Sequence, residues 1–358
     1  MALYSETRIA FSGPFAAFDL RWGVRILAHA VSSSSGFAAS GGASLNPCQG
    51  DLPPAVHPLE ERNCPACGSP SRSGPLSREH GYELVRCKDC RMLYTHFVQT
   101  IEGKIAHYDS LARERTDTTS ILSPAHYGLA NQIKSVGLYE RVLQHILRSV
   151  PEGHVNFVDV GCAGGLFLLA AQSIDGYHCG VPPRFDVRGI SIDPRERSET
   201  WRNVGCPVLF PEEAAVAWAG WADAVTLMNV LEHVSAPFEL LCQLKRILKP
   251  GGLLLIDVPN NAVVSLRGRF VNRWPDLDLG EHINHFVPST LDRLLIRAGF
   301  VPSKRFLGMY KGVESIAVAP EFRSKARWLA ASTVMLATMR RAQLFPHMTM
   351  AYRLPLMS

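Results

Sequence analysis

The sequence predicts an α/β fold, a largely parallel sheet covered by helices on both faces, preceded by a small module built on four cysteines. Three observations carry this expectation. First, Phe157-Val158-Asp159-Val160 runs into Gly161-Cys162-Ala163-Gly164-Gly165 and then the apolar stretch Leu166 to Ala171, the pattern of a buried strand, a glycine turn and a helix. Second, short apolar runs bounded by turn residues recur at 187–192, 222–228 and 253–258, with helical spacing between them. Third, Cys64-Pro65-Ala66-Cys67 and Cys87-Lys88-Asp89-Cys90 form C-x2-C-x19-C-x2-C, a metal-ligand spacing.

The chain has 358 residues, room for one large domain and a smaller one. Its 47% hydrophobic and 19% charged residues fit a globular protein with a sizeable core. The net charge of +5 is mild and no block of like charges occurs, which speaks against a nucleic-acid partner and leaves acidic small molecules open. Outside the two C-x-x-C steps the cysteines are scattered, as in a reducing compartment, so a cytoplasmic location is expected. No apolar run reaches the roughly 18 residues that span a bilayer. Trp328 to Thr338 is apolar, short and flanked by Arg323, Lys325, Arg327, Arg340 and Arg341, which reads as a helix docked on the domain or on a second subunit, with peripheral membrane contact as the other use. The oligomeric state is not legible. Residues 1–57, rich in Ser, Gly and Ala between Val31 and Ser44, read as a disordered extension without a catalytic part.

The expected organisation is thus 1–57 extension, 58–97 four-cysteine module, 98–125 linker, 126–320 main domain and 321–358 helical tail. Within the module, Tyr82 to Arg86 reads as a strand entering the second knuckle. Four thiolates suit tetrahedral zinc, and with every position filled by cysteine the metal is structural rather than catalytic. A module of this size lacks a core of its own, so metal would supply its folding energy. The arrangement resembles a zinc ribbon; a rubredoxin-like iron site stays open.

A helix is expected over His126–Ser149, where Leu129, Ile133, Val136, Val142 and Ile146 share one face. Strand one follows at 157–160 and its helix at 165–174. Strand two, 187–192, ends at Asp193, which can cap the next helix or accept hydrogen bonds from a ribose. Strand three is 207–210, followed by Pro211-Glu212-Glu213. Strand four, 222–228, leads into Asn229-Val230-Leu231-Glu232-His233-Val234. A helix over 237–248 then turns at Lys249-Pro250-Gly251-Gly252 into strand five, 253–258.

Asp-x-Gly-x-Ala-x-Gly, the acid ending strand two, V-L-E-H-V and L-K-P-G-G, in this order, resemble class I S-adenosylmethionine-dependent methyltransferases over about residues 126–320. Ala163 stands where that family more often has glycine. The resemblance implies a Rossmann-like seven-stranded methyltransferase sheet with a final antiparallel strand, expected near 313–318 beside 302–307. It implies S-adenosylmethionine bound by Asp159, Gly161, Cys162, Ala163, Gly165, Asp193, Glu212, Met228 and Asn229, while the cysteine spacing puts zinc on Cys64, Cys67, Cys87 and Cys90. The passage from Trp274 through His282, His285 and Phe286 to Gly299-Phe300 resembles a branch acting on sugars, glycans, quinones and other metabolites. The acceptor is therefore expected to be a small molecule, a glycan or lipid-like, methylated on oxygen or carbon. His282 is the expected general base, with His285 and Trp274 shaping the pocket, and Arg267, Arg269 and Arg273 are candidates to hold an anionic group. Two other readings stay open: an rRNA base methyltransferase, some of which carry a zinc ribbon, and a binding protein with this fold and no turnover.

Overall fold

A computed structural model of the chain describes residues 59–100, 103, 138–150, 153–173, 184–191, 201–262, 279–307 and 347–356. Five short strands open it: β1 (Leu59–Glu61), β2 (Ser77–Glu79), β3 (Tyr82–Arg86), β4 (Leu93–Thr95) and β5 (Phe97–Gln99). Helix α1 covers 138–149. Then come β6 (Val155–Val160), α2 (Leu166–Ser173), β7 (Phe185–Ile190), β8 (Val208–Leu209), α3 (Pro211–Ala217) and β9 (Ala222–Met228). A short 3-10 turn, Leu231–His233, precedes α4 (Pro237–Ile247) and β10 (Leu248–Pro259). The remaining elements are β11 (Asn284–His285), α5 (Pro288–Arg297), β12 (Val301–Leu307) and β13 (His347–Arg353).

Seven strands form one sheet in the order β12-β13-β10-β9-β6-β7-β8. Strands β8, β7, β6, β9 and β10 run parallel, while β13 is antiparallel to both β10 and β12. Alternation along β6 sorts side chains between the faces. Phe157 meets Phe167 of α2, which stacks on Tyr139 of α1 at 4.2 Å between ring centres. Val158 and Val160 join the opposite core with Leu240, Leu241 and Leu244 of α4 and Leu291 and Leu294 of α5. With both faces covered, Leu254, Leu255 and Ile256 of β10 are all buried, which explains why that run reads as continuously apolar.

Two expectations need correction. The antiparallel strand is β13, inside the segment expected to be a helical tail; residues 313–318 lie outside the described ones. His347-Met348-Thr349-Met350-Ala351-Tyr352-Arg353 alternates at period two, with Met348, Met350 and Tyr352 in the core containing α4 and α5. Two methionines and a threonine give a weak strand signal, next to an apolar run at 328–338 that has helical character in the sequence.

The four-cysteine module is also not separate. Its sheet has the order β11-β4-β3-β2, so β11, from the segment after β10, completes it by pairing Asn284 with Tyr94 and His285 with Leu93. Cys64, Ala66, Val85, Cys87, Met92 and Tyr94 share one core with Leu291, Leu294 and Phe300. A ribbon too small to bury apolar surface alone has buried it against α5. The expected extension (1–57) and most of the expected linker (98–125) lie outside the described residues. Among the described residues, no helix is long and apolar enough to cross a membrane.

Candidate active site

The glycine turn sits at the C-terminal end of β6, where open α/β sheets receive ligands. Gly161 has φ +67° and Gly165 φ +86°, both left-handed. Gly161 N–H donates to Ile190 O at 2.7 Å, and Gly165 N–H to Cys162 O at 2.8 Å. A Cβ on Gly161 would lie 2.5 Å from Val230 Cγ2, so the segment after β9 rests directly on the turn. Ala163 adopts φ +45°, a conformation that costs a residue with a Cβ about 1–2 kcal/mol. Cys162 is buried against β7, where a Cβ on Gly189 would meet its Sγ at 2.8 Å.

Asp159 is buried and accepts a hydrogen bond from Thr226 Oγ1 at 2.7 Å. Burial pushes its carboxyl up to about 7, and the threonine hydroxyl only partly offsets this. Met228 ends β9, and Asn229 follows at φ +57°, a value asparagine tolerates, with its N–H donating to Asp257 O at 2.8 Å. Glu212 lies on the exposed side of α3 and accepts from Gln243 Nε2 at 3.1 Å, while Glu213 folds back to cap Phe210 N–H at 3.0 Å. Asp193, Trp274, Arg267, Arg269 and Arg273 lie outside the described residues.

Beyond Val230 the chain turns through Leu231–His233 and brings together Glu232, His233 and His282. One ligand atom from each lies within 4.8 Å of the others. The rings of His233 and His282 meet edge to face at 4.7 Å, and His233 Nδ1 is 2.8 Å from Glu281 O. Glu232 is buried; the two imidazoles are half-buried. This constellation can accept a proton, or hold a divalent cation.

Asn284 staples the turn, its Nδ2 donating to Leu231 O and Val234 O, both at 2.7 Å. His285, one residue on, is a different case. It is buried within β11, and burial, aided by His282 and Arg62, lowers its imidazole to about 3. Burial thus disfavours the protonated form of His285.

Cys64, Cys67, Cys87 and Cys90 converge with their sulfurs within 4.8 Å of one another. Cys64 and Cys90 Sγ are 3.5 Å apart, as are Cys67 and Cys87 Sγ. Tetrahedral zinc with bonds near 2.3 Å sets its sulfurs about 3.8 Å apart, so the cluster fits that ion with small adjustment.

Some groups escaped the sequence reading. Asp257, on β10, accepts from Thr349 Oγ1 at 2.6 Å, and its other oxygen lies 3.4 Å from His347 Nδ1. The signal was present in an acid inside the covered run Leu253-Leu254-Leu255-Ile256-Asp257-Val258, since a buried carboxylate requires partners. Arg62 also escaped: nothing in its local sequence marks a role, because its partners lie far along the chain.

Residues 131–303 match the family model described as a methyltransferase domain. Among curated relatives, the ubiquinone biosynthesis O-methyltransferase of Dinoroseobacter shibae is 25% identical over 224 residues, covering 57% of this chain and 84% of that protein. The enzyme of the same name from Colwellia psychrerythraea is 27% identical over 172 residues, 46% of this chain and 66% of that protein. Among solved structures, a SAM-dependent methyltransferase from Aquifex aeolicus is similar with a TM-score of 0.40 at 15% identity, covering 60% of this chain and 89% of that one.

Proposed function

We propose that this chain transfers the methyl group of S-adenosylmethionine to a hydroxyl oxygen on a quinone-like ring. The observation that carries the reading is the His233–His282 pair with Glu232, on the segment whose Val230 packs on the glycine turn. The relatives' O-methyltransferase names support oxygen as the acceptor atom. In the transfer the S–CH3 bond breaks, its electron pair stays on sulfur, and the acceptor oxygen gains the methyl group. The hydroxyl proton goes to the imidazole of His282 and then to solvent. Gly161, Cys162, Ala163 and Gly165 bring backbone to the methionine part, Met228 and Asn229 border the cofactor, and Asp193 and Glu212 are assigned to its ribose and adenine. Cys64, Cys67, Cys87 and Cys90 hold one structural zinc.

The test is transfer of labelled methyl to catechol, a minimal ring with adjacent hydroxyls, and to hydroxylated quinols. Wild type should label ring oxygen, and His282→Ala should cut turnover by about 10²–10⁴-fold while leaving cofactor affinity intact. A loss smaller than threefold removes His282 from the chemistry; no labelling of any ring hydroxyl removes the acceptor class.

Asp159 gives a second expectation. Its carboxyl is raised from 3.8 to about 7 in the folded chain, so between those values the fold holds a proton that the unfolded chain releases. The resulting stability is full at low pH and lost as pH rises toward 7. A cofactor ammonium favours the ionised form, so S-adenosylmethionine affinity should rise with pH by up to about tenfold per unit below 7 and then level off. Calorimetry between pH 5.5 and 8 measures this. A slope unchanged in Asp159→Asn would detach Asp159 from the cofactor.

A further inference from the structure

The ribbon and the acceptor-side loop meet around one charge. Arg62, two residues before the first zinc-type ligand, spreads its guanidinium over three backbone carbonyls. Nε donates to Thr95 O at 2.9 Å, Nη1 to Ser235 O at 3.0 Å and Nη2 to Ile283 O at 2.7 Å. The residue keeps some exposed surface, while all three nitrogens of its guanidinium are taken up by these carbonyls. Tyr94 lies under it at 5.7 Å to the ring centre. Among the described residues, no carboxylate forms an ion pair with it. A partly buried cation satisfied only by carbonyls is costly to place, and its planar fork fixes three directions that lysine cannot reproduce.

The three carbonyls are informative. Thr95 belongs to the ribbon, Ser235 follows Glu232–His233 by two residues, and Ile283 follows His282 directly. Arg62 therefore ties down the two backbone segments that carry the proposed proton-accepting pair. Neighbouring bonds run the same way: Thr95 N–H donates to Ile283 O at 2.9 Å, Ile283 N–H to Glu232 O at 2.9 Å, and Thr95 Oγ1 to Leu279 O at 3.1 Å. The ribbon supplies a fixed abutment, and one side chain carries its rigidity to both imidazoles.

We propose that Arg62 is a positioning residue for methyl transfer, setting the separation and orientation of His233 and His282 from the ribbon side. This rests on the proposed role of His282. The three carbonyls that Arg62 binds lie outside the glycine turn, so cofactor binding should not depend on it. The role explains why a four-cysteine module sits on the substrate side of this fold, sharing a sheet with the loop after β10.

The test compares full-length wild type, Arg62→Lys and Arg62→Ala. Zinc content and S-adenosylmethionine affinity should stay within twofold of wild type. Amide exchange at Ile283 and Asn284 should quicken at least tenfold, and the His233 and His282 ring signals in NMR should broaden or shift. With catechol as probe, kcat should fall at least tenfold in both variants while KM for the cofactor holds, lysine failing to rescue. Unchanged ring signals and exchange would overturn the proposal, and so would a matching loss of cofactor affinity, which would make Arg62 a general support of the fold. Because exchange and ring signals need no acceptor, they judge Arg62 even where catechol proves the wrong probe. If wild type methylates no ring hydroxyl, the functional reading fails separately.

Discussion

Gly161→Ala should lower stability by roughly 2–5 kcal/mol and weaken S-adenosylmethionine binding at least tenfold. Two costs combine. The left-handed backbone at φ +67° penalises any Cβ, and the new methyl would stand 2.5 Å from Val230 Cγ2, a distance that forces movement. Val230 is buried, so the turn cannot relax outward without shifting Asn229 and the residues that follow. Gly205→Ala is the control: Gly205 has φ +70° but nothing within 4 Å of a built Cβ, so it measures the backbone cost alone. Thermal melts and calorimetry read both variants. Equal effects from the two would show that contact between Val230 and the turn does not matter.

Stripping metal from the four-cysteine cluster should cost at least as much. Cys87→Ser leaves three thiolates and is expected to empty the site. Because Cys87 and Cys64 lie in the same core as Leu291 and Leu294, the melt should move down as one transition rather than lose a separate ribbon step. Methyl transfer should fall at least tenfold, because β11 and the His282 loop lose the sheet they pair with. Elemental analysis of wild type should find one zinc per chain. Protein holding neither zinc nor iron would refute the assignment, and a variant with full activity would refute the link to the loop.

How legible was this in the sequence? The parallel strands were, because burial on both faces demands unbroken apolar runs and glycine or proline must mark their ends. Ala222–Met228 has the bounds read from its residues alone. The order of motifs then placed the glycine turn after β6 and the segment carrying Glu232 and His233 after β9. What stayed hidden depends on contacts distant in sequence. β13 has a mixed pattern that only its neighbours β10 and β12 make sense of. Arg62 reaches Ile283, more than two hundred positions away, and no local periodicity records such a bond. His282 and His285 looked alike as imidazoles three residues apart, yet one lies beside His233 and the other inside a sheet. The difference comes from β4, the strand that pairs with β11, and was not written in the loop itself.

The place of β13 between β10 and β12 also bears on how the chain assembles. Strands β8, β7, β6, β9 and β10 can pair with one another as they emerge, each next to a partner already made. β12 cannot follow them, because its ladder partner in the sheet is β13, which comes later in the chain after a long intervening segment. Until β13 arrives, the outer edge of β10 presents Leu253 to Val258 as an open, apolar template. Closing that gap bears the loop-closure entropy of the intervening residues before any ladder bond forms. Nascent or refolding chains thus pass through a stage with a sticky edge, and the speed with which β13 inserts decides between a finished sheet and pairing with a neighbouring molecule.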